Sequence, residues 1–192
     1  MGKFLSWFIG SLLASVFVAG LPLAAAQTQQ TAFDLDGRAV DPLAQGTNRI
    51  VVLVFLRQDC PISNRYAPVI QEISARYQRD TSFFLVYPDK NQSPQSIRNY
   101  LAEYGYALPA LRDPEHVLVK RAQAETTPEA AVFDVERKLV YHGRIDNWYV
   151  EFSSSRPAPT THELSDAIQA AMKGKPVAKT VKGVGCYISD LD

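Results

Sequence analysis

The two cysteines of this sequence are the residues most able to carry chemistry. Cys60 follows the apolar run from Val51 to Leu56 and precedes Pro61, where a segment with helical spacing begins. Cys186 lies 126 residues further along. A cysteine acts as a nucleophile in thiol–disulfide exchange, forms a structural disulfide or binds a metal ion. Residue type alone leaves these three interpretations of Cys60 open.

The expected position of Cys60, at the first turn of a helix, favours the nucleophile. Unpaired backbone N–H groups and the helix dipole stabilise a thiolate at such a position, and the thiolate is the reactive form. Arg57 and Arg65 would add to this stabilisation, whereas Asp59 would oppose it. Pro61 removes one N–H group but fixes the turn. The sequence therefore predicts that the pKa of Cys60 is lowered.

The elements predicted around Cys60 alternate between strands and helices. Apolar runs bounded by turn residues predict strands at 33–40 (a hairpin), 50–56, 81–87, 130–134 and 138–143. Helical spacing predicts helices at 61–79 with a bend at Pro68, at 94–104, at 114–124 and, after a capping box at 160–163, up to residue 173. Residues 145–159 are predicted to form an irregular insertion. This order predicts an α/β fold in which a central mixed β-sheet has helices on both faces.

These motifs, in this order, resemble the thioredoxin-like superfamily over about residues 30–175. Cys60-Pro61-Ile62-Ser63 occupies the place of that superfamily's Cys-x-x-Cys motif, and Thr127-Pro128 matches the loop whose proline is cis and faces the active cysteine. The likeness is strongest for exported redoxins related to the alkyl hydroperoxide reductase and thiol-specific antioxidant group. The segments 141–146 and 184–188 resemble one branch of these proteins. The resemblance implies a three-layer thioredoxin-like fold.

The resemblance also implies a set of site residues. Cys60 would be the catalytic nucleophile and Cys186 a second catalytic thiol. The residues expected to contact the substrate are Arg57, Pro61, Ser63, Arg65, Thr127 and Pro128. Ser63 stands where the family has its second cysteine, so either Cys186 or an external thiol must resolve a mixed disulfide on Cys60. The expected partners are protein or small-molecule thiols and disulfides together with an external reductant, and no cofactor or metal is expected.

Two other functions remain open. In the first, Cys60 and Cys186 form a structural disulfide in a non-enzymatic redoxin-like protein that binds a ligand or handles copper, with His116, His142 or His162 as a possible copper partner. We interpret His142 and His162 as structural or solvated. The second is a peroxidase, which the sequence favours less. Peroxiredoxins carry Pro-x-x-x-Thr-x-x-Cys, and Leu53 and Arg57 hold the Pro and Thr positions here.

The first 26 residues have the pattern of a secretion signal. Lys3 is followed by an apolar run and by an Ala-x-Ala cleavage site that ends at Ala26. We therefore expect a signal peptide at 1–26, a thioredoxin-like domain at 27–174, a tail at 175–192 and export, to the periplasm in a bacterium. A membrane is an expected partner only if the signal segment stays uncleaved. Cleavage would leave 19 Lys and Arg against 20 Asp and Glu, which does not indicate nucleic-acid binding.

Overall fold

A mixed β-sheet of seven strands organises the described part of the chain. The structure of the protein is a computed structural model that describes residues 31–44, 49–177 and 179–189, so the predicted signal peptide lies outside the described residues. The strands are β1 (Ala32–Asp34), β2 (Ala39–Val40), β3 (Ile50–Phe55), β4 (Thr81–Tyr87), β5 (Ala110–Arg112), β6 (Thr126–Thr127), β7 (Glu129–Phe133), β8 (Leu139–Gly143), β9 (Tyr149–Glu151), β10 (Ser154–Ser155) and β11 (Cys186–Tyr187). The helices are α1 (Pro61–Arg65), α2 (Ala67–Tyr77), α3 (Pro94–Glu103), α4 (Val117–Ala122) and α5 (Glu163–Met172). The order of the sheet is β2-β1-β5-β4-β3-β7-β8.

Strand β3, which leads to Cys60, lies inside the sheet and is buried along its whole length. It pairs in parallel with β4 and antiparallel with β7. Because successive side chains of a strand point to opposite faces, Val52 and Val54 pack in one core cluster with Ile70 of α2. Leu53 packs in a second cluster with Leu118 of α4. Helices therefore cover both faces, and the predicted α/β thioredoxin-like fold with a central mixed sheet is confirmed.

The segment after Cys60 forms two helices, whereas the sequence predicted one bent helix at 61–79. Helix α1 ends at Arg65 and α2 begins at Ala67, with Tyr66 between them. Pro68 has no N–H group to donate to the carbonyl of Asn64, and its ring crowds that carbonyl. The chain therefore turns at Tyr66, and the short α1 keeps Cys60 at its N-terminus.

Two other predicted elements also differ from the structure. Residues 145–159 are not wholly irregular, since β9 and β10 pair as an antiparallel hairpin within them. The capping box at 160–163 was a wrong prediction, because α5 begins after His162 and has no side-chain cap. The backbone N–H groups of Thr160 and Thr161 donate to Oδ1 of Asn147, at 2.7 and 3.1 Å. Glu163, the predicted end of the box, accepts a hydrogen bond from Nε of Arg144 at 3.0 Å.

Helix lengths bear on the question of a membrane anchor. In the described ranges, no helix combines the length and the apolar composition needed to cross a bilayer. The apolar run of the predicted signal segment lies outside those ranges.

Candidate active site

Cys60 lies at the N-terminus of α1, as the sequence predicted. It is the N-cap residue, with an extended backbone at φ −92° and ψ 109°, and Pro61 begins the helix. Its side chain is completely buried. The sulfur lies 3.1 Å from the carbonyl oxygen of Thr127, which accepts a hydrogen bond when Cys60 is a thiol. The bond between Thr127 and Pro128 is cis. The contact between Cys60 and Thr127 brings the two predicted segments together.

The tail brings Cys186 to the same point. Strand β11 pairs antiparallel with β6, and Cys186 lies opposite Thr127 in this ladder. Both cysteines are free thiols. The two side chains lie close enough for each to alter the pKa of the other. The structure thus joins the two candidate thiols through a backbone pairing of only two residues on each strand.

Contacts along the tail hold β11 in place. On one side of Cys186, the N–H of Arg144 donates to the carbonyl of Val181 at 2.9 Å. On the other side, the N–H of Ile188 donates to the carbonyl of Glu125 at 2.9 Å, and the Ile188 side chain is buried in the second core cluster. Between them, the Thr127 hydroxyl donates to the Cys186 carbonyl at 3.3 Å. The tail is therefore fixed by hydrogen bonds to its backbone and by apolar contacts, of which the buried Ile188 and the partly buried Val184 are two.

Glycine lets the tail approach β6 closely. A Cβ atom on Gly185 would overlap the carbonyl oxygen of Thr127 and would lie 2.7 Å from its carbonyl carbon. The residue before Cys186 must therefore lack a side chain if β11 is to keep this position. Gly183 is less restricted, because a Cβ atom there would lie 3.1 Å from Oγ1 of Thr126 and 3.3 Å from the Pro128 carbonyl oxygen.

Glu129 holds β6 in place through hydrogen bonds, and the sequence did not predict this role. Its side chain is buried. The Oε2 atom accepts three hydrogen bonds, from N of Glu125 at 3.0 Å and from N and Oγ1 of Thr126 at 3.0 and 3.1 Å. The Oε1 atom lies 3.5 Å from Nδ1 of His142. A glutamate directly after Thr-Pro and inside an apolar strand was the signal that could have identified this support.

Hydrogen bonds set the acidity of Cys60. Burial favours the neutral thiol, but hydrogen bonds from the Cys186 side chain and from the backbone and hydroxyl of Ser63 outweigh it, so the pKa of Cys60 lies below its ordinary value. Ser63 is completely buried, and its Oγ has no hydrogen-bond partner of ordinary geometry among the described residues, so the hydroxyl is available to the thiolate of Cys60. The thiol donates to Thr127, whereas the thiolate accepts from Ser63 and Cys186. Ionisation therefore exchanges one partner for two.

The pKa of Cys186 is shifted in the opposite direction from that of Cys60. Burial, the hydrogen bond to Cys60 and the charge of Cys60 together raise the pKa of Cys186 to about 12. Arg57 partly offsets this rise and Asp59 adds to it. Cys60 is thus the more readily ionised thiol of the pair and Cys186 the one that keeps its proton, which is the asymmetry that a nucleophile and its partner require.

The two arginines predicted beside Cys60 have different surroundings. Arg57 bonds to Asp59 at 2.8 Å and donates to the Tyr187 carbonyl at 3.3 Å, so it contacts the tail. Its charge acts on Cys186. Arg65 is exposed in the last turn of α1, and Pro61 is exposed in the first. The groups that lower the pKa of Cys60 are Ser63 and Cys186, neither of which the sequence reasoning had given this role.

An aromatic wall packs beside the cis proline. Tyr66 donates to Oδ1 of the buried Asp146 at 2.5 Å, and the N–H of Trp148 donates to the same oxygen at 2.8 Å. The rings of Tyr66, Trp148 and Tyr149 lie 5.5 to 6.1 Å apart between centroids. The space between this wall, Pro128 and the tail has a volume of about 10 Å³. The wall is therefore a packed support and not an open groove while the tail is in place.

The three histidines lie in separate surroundings. His116 places Nε2 3.1 Å from the Pro88 carbonyl oxygen, His142 lies beside Glu129, and His162 is the residue directly before α5. Across residues 31–44, 49–177 and 179–189, no group of three or more His, Cys, Asp and Glu side chains has an arrangement suited to a metal ion.

The buried hydroxyl of Ser63 leads to a first prediction. Ser63→Ala removes the buried hydroxyl that helps to lower the pKa of Cys60, so this pKa should rise. The fraction of Cys60 that is ionised at neutral pH then falls, and the midpoint of its pH titration moves to higher pH. The ultraviolet absorbance of the thiolate, followed against pH in a Cys186→Ser background, measures this midpoint. Ser74→Ala is the matched control, because Ser74 is also buried but donates to the Gln71 carbonyl within α2. An unchanged midpoint in Ser63→Ala would contradict the assigned role.

Comparisons with known proteins relate this geometry to a superfamily. A scan against protein-family models finds no match, and a search of curated proteins finds none either. Among solved structures, an uncharacterized conserved protein from Geobacillus kaustophilus is similar over 83% of this chain and 89% of its own, with 25% identity and a TM-score of 0.67. The pneumococcal exposed lipoprotein thioredoxin from Streptococcus pneumoniae strain TIGR4 is 25% identical over 74% of this chain and 96% of its own, with a TM-score of 0.53.

A third solved structure shares the fold. It is a secreted Mycobacterium tuberculosis disulfide oxidoreductase homologous to E. coli DsbE, 17% identical over 75% of this chain and 94% of its own, with a TM-score of 0.50. The sheet order, the cysteine at the start of α1, the cis Thr127–Pro128 bond and these neighbours agree with one another. The chain therefore has the thioredoxin-like fold and is similar in structure to thioredoxin-like proteins.

Proposed function

We propose that this protein is a thiol–disulfide oxidoreductase whose redox couple is Cys60 and Cys186. The observation that carries the proposal is that the pairing of β6 with β11 brings two free thiols together. Their pKa values are shifted in opposite directions, down for Cys60 and up for Cys186. The similar solved structures named as a thioredoxin and as a disulfide oxidoreductase support this class of reaction.

The proposed reaction has two exchanges with the substrate, followed by reduction of the protein. The Cys60 thiolate attacks one sulfur of a substrate disulfide, forms a mixed disulfide and releases the other substrate sulfur as a thiolate. Cys186 then attacks the Cys60 sulfur, forms the Cys60–Cys186 disulfide and releases the second substrate thiolate. The substrate has gained two electrons and the protein has lost two. An external dithiol, or two thiols, returns the electrons by the same exchange.

The acidities favour this order of attack. While Cys60 is ionised, its charge and its hydrogen bond help to hold the Cys186 proton. Both effects end when Cys60 enters a mixed disulfide, so the pKa of Cys186 falls at the step in which Cys186 must become a nucleophile. Its proton passes to the departing substrate thiolate or to water. The hydroxyl of Ser63 then faces a neutral sulfur.

Surrounding residues have narrower proposed roles. Thr127 and Pro128 form the wall opposite Cys60, and Pro61 and Arg65 present the exposed surface of α1 to the partner. Arg57 holds the Tyr187 carbonyl and favours ionisation of Cys186. We place the reaction outside the cytoplasm because of the secretion pattern at 1–26. The secreted and exposed proteins with similar structures support this placement.

Cys186→Ser separates the first exchange from the second. The variant should still attack a disulfide once, but it should accumulate a mixed disulfide on Cys60, because no second thiol of the chain displaces the substrate. Mass spectrometry after acid quenching measures the adduct, and wild type should instead show the internal disulfide. Without its partner thiol, Cys60 is also expected to oxidise further toward sulfinic and sulfonic acid on exposure to peroxide. Normal multiple turnover by Cys186→Ser with a thioredoxin-type reductant would show that Cys60 acts as a monothiol.

A structural disulfide in a non-enzymatic protein is the second candidate, because the same contact between the cysteines would permit it. The reduction potential distinguishes the two. A structural bridge has a potential below about −300 mV, whereas a bridge that turns over lies well above it. Titration of the purified protein in glutathione buffers, with alkylation of free thiols and mass spectrometry, gives this value. A potential below that limit, together with no exchange activity, would favour the structural role.

A further inference from the structure

The tail covers the edge of β6, the strand that contains Thr127 beside Cys60. The Cys60 sulfur is completely buried, and β11 lies along β6 with Cys186 opposite Thr127. A polypeptide disulfide that presents its own cysteine to Cys60 in an extended conformation would need the same edge of β6, because that edge supplies the backbone groups for pairing. The tail and such a substrate therefore cannot occupy the edge together.

We infer that the tail is a displaceable stand-in for a polypeptide substrate, and that the β6 edge accepts an extended segment with glycine directly before the reactive cysteine. This inference rests on the proposed function and names its substrate class. It follows from the tail itself, in which the Gly185-Cys186 pair meets the Thr127 carbonyl so closely that a Cβ atom would overlap it. Any other chain that pairs in this register meets the same carbonyl and the same limit.

The tail is attached in a way that permits displacement. Its ion pair, between Lys182 and Glu125 at 2.6 Å, joins two exposed side chains, and such pairs contribute little to stability. The Tyr187 side chain is 69% exposed. The attachment that remains consists of hydrogen bonds to the tail backbone, including those donated by the Arg57 and Thr127 side chains, and of the partly buried Val184 and the buried Ile188. An incoming strand would replace the backbone hydrogen bonds on β6, so only part of the attachment is lost in the exchange.

Gly185→Ala tests the inference by forcing the tail away from β6. The experiment uses the full chain with Cys186→Ser, so that attack by Cys60 is the one exchange observed. The probe is the nonapeptide Val-Lys-Gly-Val-Gly-Cys-Tyr-Ile-Ser, which copies residues 181–189, as its mixed disulfide with thionitrobenzoate. Attack on the peptide sulfur breaks the disulfide, joins the peptide to Cys60 and releases coloured thionitrobenzoate with the electron pair. The Cys60 proton has already gone to solvent.

Two comparisons are made with this probe. Adding Gly185→Ala should raise the rate with the peptide by roughly fivefold or more, the population change expected of an overpacked contact. Gly183→Ala is the matched control and should raise it less, because its Cβ atom has more room. In the Gly185→Ala chain, a peptide with Gly-Cys replaced by Ala-Cys should react roughly fivefold more slowly or worse. Both results are required.

The outcomes separate this inference from the proposed function. The symmetrical disulfide of thionitrobenzoate is the reference reactant, because it needs no strand pairing. If Cys60 reacts with it but Gly185→Ala leaves the peptide rate unchanged, the tail is not a competitor and the inference is wrong. If both peptides gain equally, the tail is only a cover and the edge does not select glycine, which also overturns the inference. If Cys60 reacts with neither peptide nor reference, the proposed function itself is contradicted.

Discussion

Replacing Cys60 by serine is expected to reduce thiol–disulfide exchange to the uncatalysed rate. A serine hydroxyl stays protonated where the thiolate of Cys60 forms, so the first exchange has no nucleophile. The measurement is the initial rate of reduction of a disulfide substrate in the presence of an excess of external thiol. Cys186 is not expected to replace Cys60, because burial raises the pKa of Cys186 and keeps its thiol protonated.

The folded state of Cys60→Ser should remain intact, which keeps the result interpretable. The serine hydroxyl can donate to the Thr127 carbonyl as the thiol does. Its free energy of unfolding should therefore stay within about 1 kcal/mol of that of the wild type. Retention of substantial activity would mean that Cys186 is the attacking thiol, and the order of exchanges proposed above would be reversed.

Glu129→Ala should cost the protein about 3 kcal/mol of unfolding free energy or more. Three donors, the N–H groups of Glu125 and Thr126 and the Thr126 hydroxyl, lose one charged acceptor in a buried place. Because Thr126 lies in β6, the loss should also loosen the tail and slow the second exchange, in which Cys186 attacks Cys60. Urea unfolding measures the first effect, and the lifetime of the mixed disulfide measures the second.

Two variants bracket this result. Glu129→Gln keeps one acceptor oxygen and should lose less stability than Glu129→Ala. Glu136→Ala removes an exposed glutamate in the turn between β7 and β8, and should change the unfolding free energy by no more than about 0.5 kcal/mol. A loss below about 1 kcal/mol in Glu129→Ala would show that other groups fix β6.

The sequence predicted those parts of the fold that depend on local pattern. The apolar run at 50–56 predicted a strand, and β3 spans Ile50–Phe55, is buried along its length and pairs with β4 and β7. The helix predicted at 94–104 is α3, which begins at Pro94, and the Ser93 hydroxyl accepts a hydrogen bond from the Ser96 N–H at 3.1 Å. In such places a residue and its neighbours in the chain suffice to fix the conformation.

The features that the sequence did not predict depend on distant contacts. The β6–β11 ladder joins segments 59 residues apart through main-chain atoms, which carry no residue-specific signal apart from the room left by Gly185. The effect of the Ser63 hydroxyl on Cys60 is a local exception, because it depends on side-chain direction at the start of α1. The capping-box prediction was wrong because Asn147, from another part of the chain, accepts the hydrogen bonds at Thr160 and Thr161.

The separation of the two thiols along the chain links redox chemistry to folding. Helices α1 to α5 and most of the central sheet lie between Cys60 and Cys186 in sequence, so their disulfide turns most of the described chain into a covalent ring. In the chain-entropy account, closing a ring of about 100 residues lowers the entropy of the unfolded chain and so raises its free energy by nearly 5 kcal/mol. By thermodynamic linkage, the amount by which the disulfide raises the free energy of unfolding equals the amount by which folding makes the disulfide harder to reduce. Each substrate that oxidises the pair would therefore also leave the whole molecule harder to unfold until a reductant opens the ring.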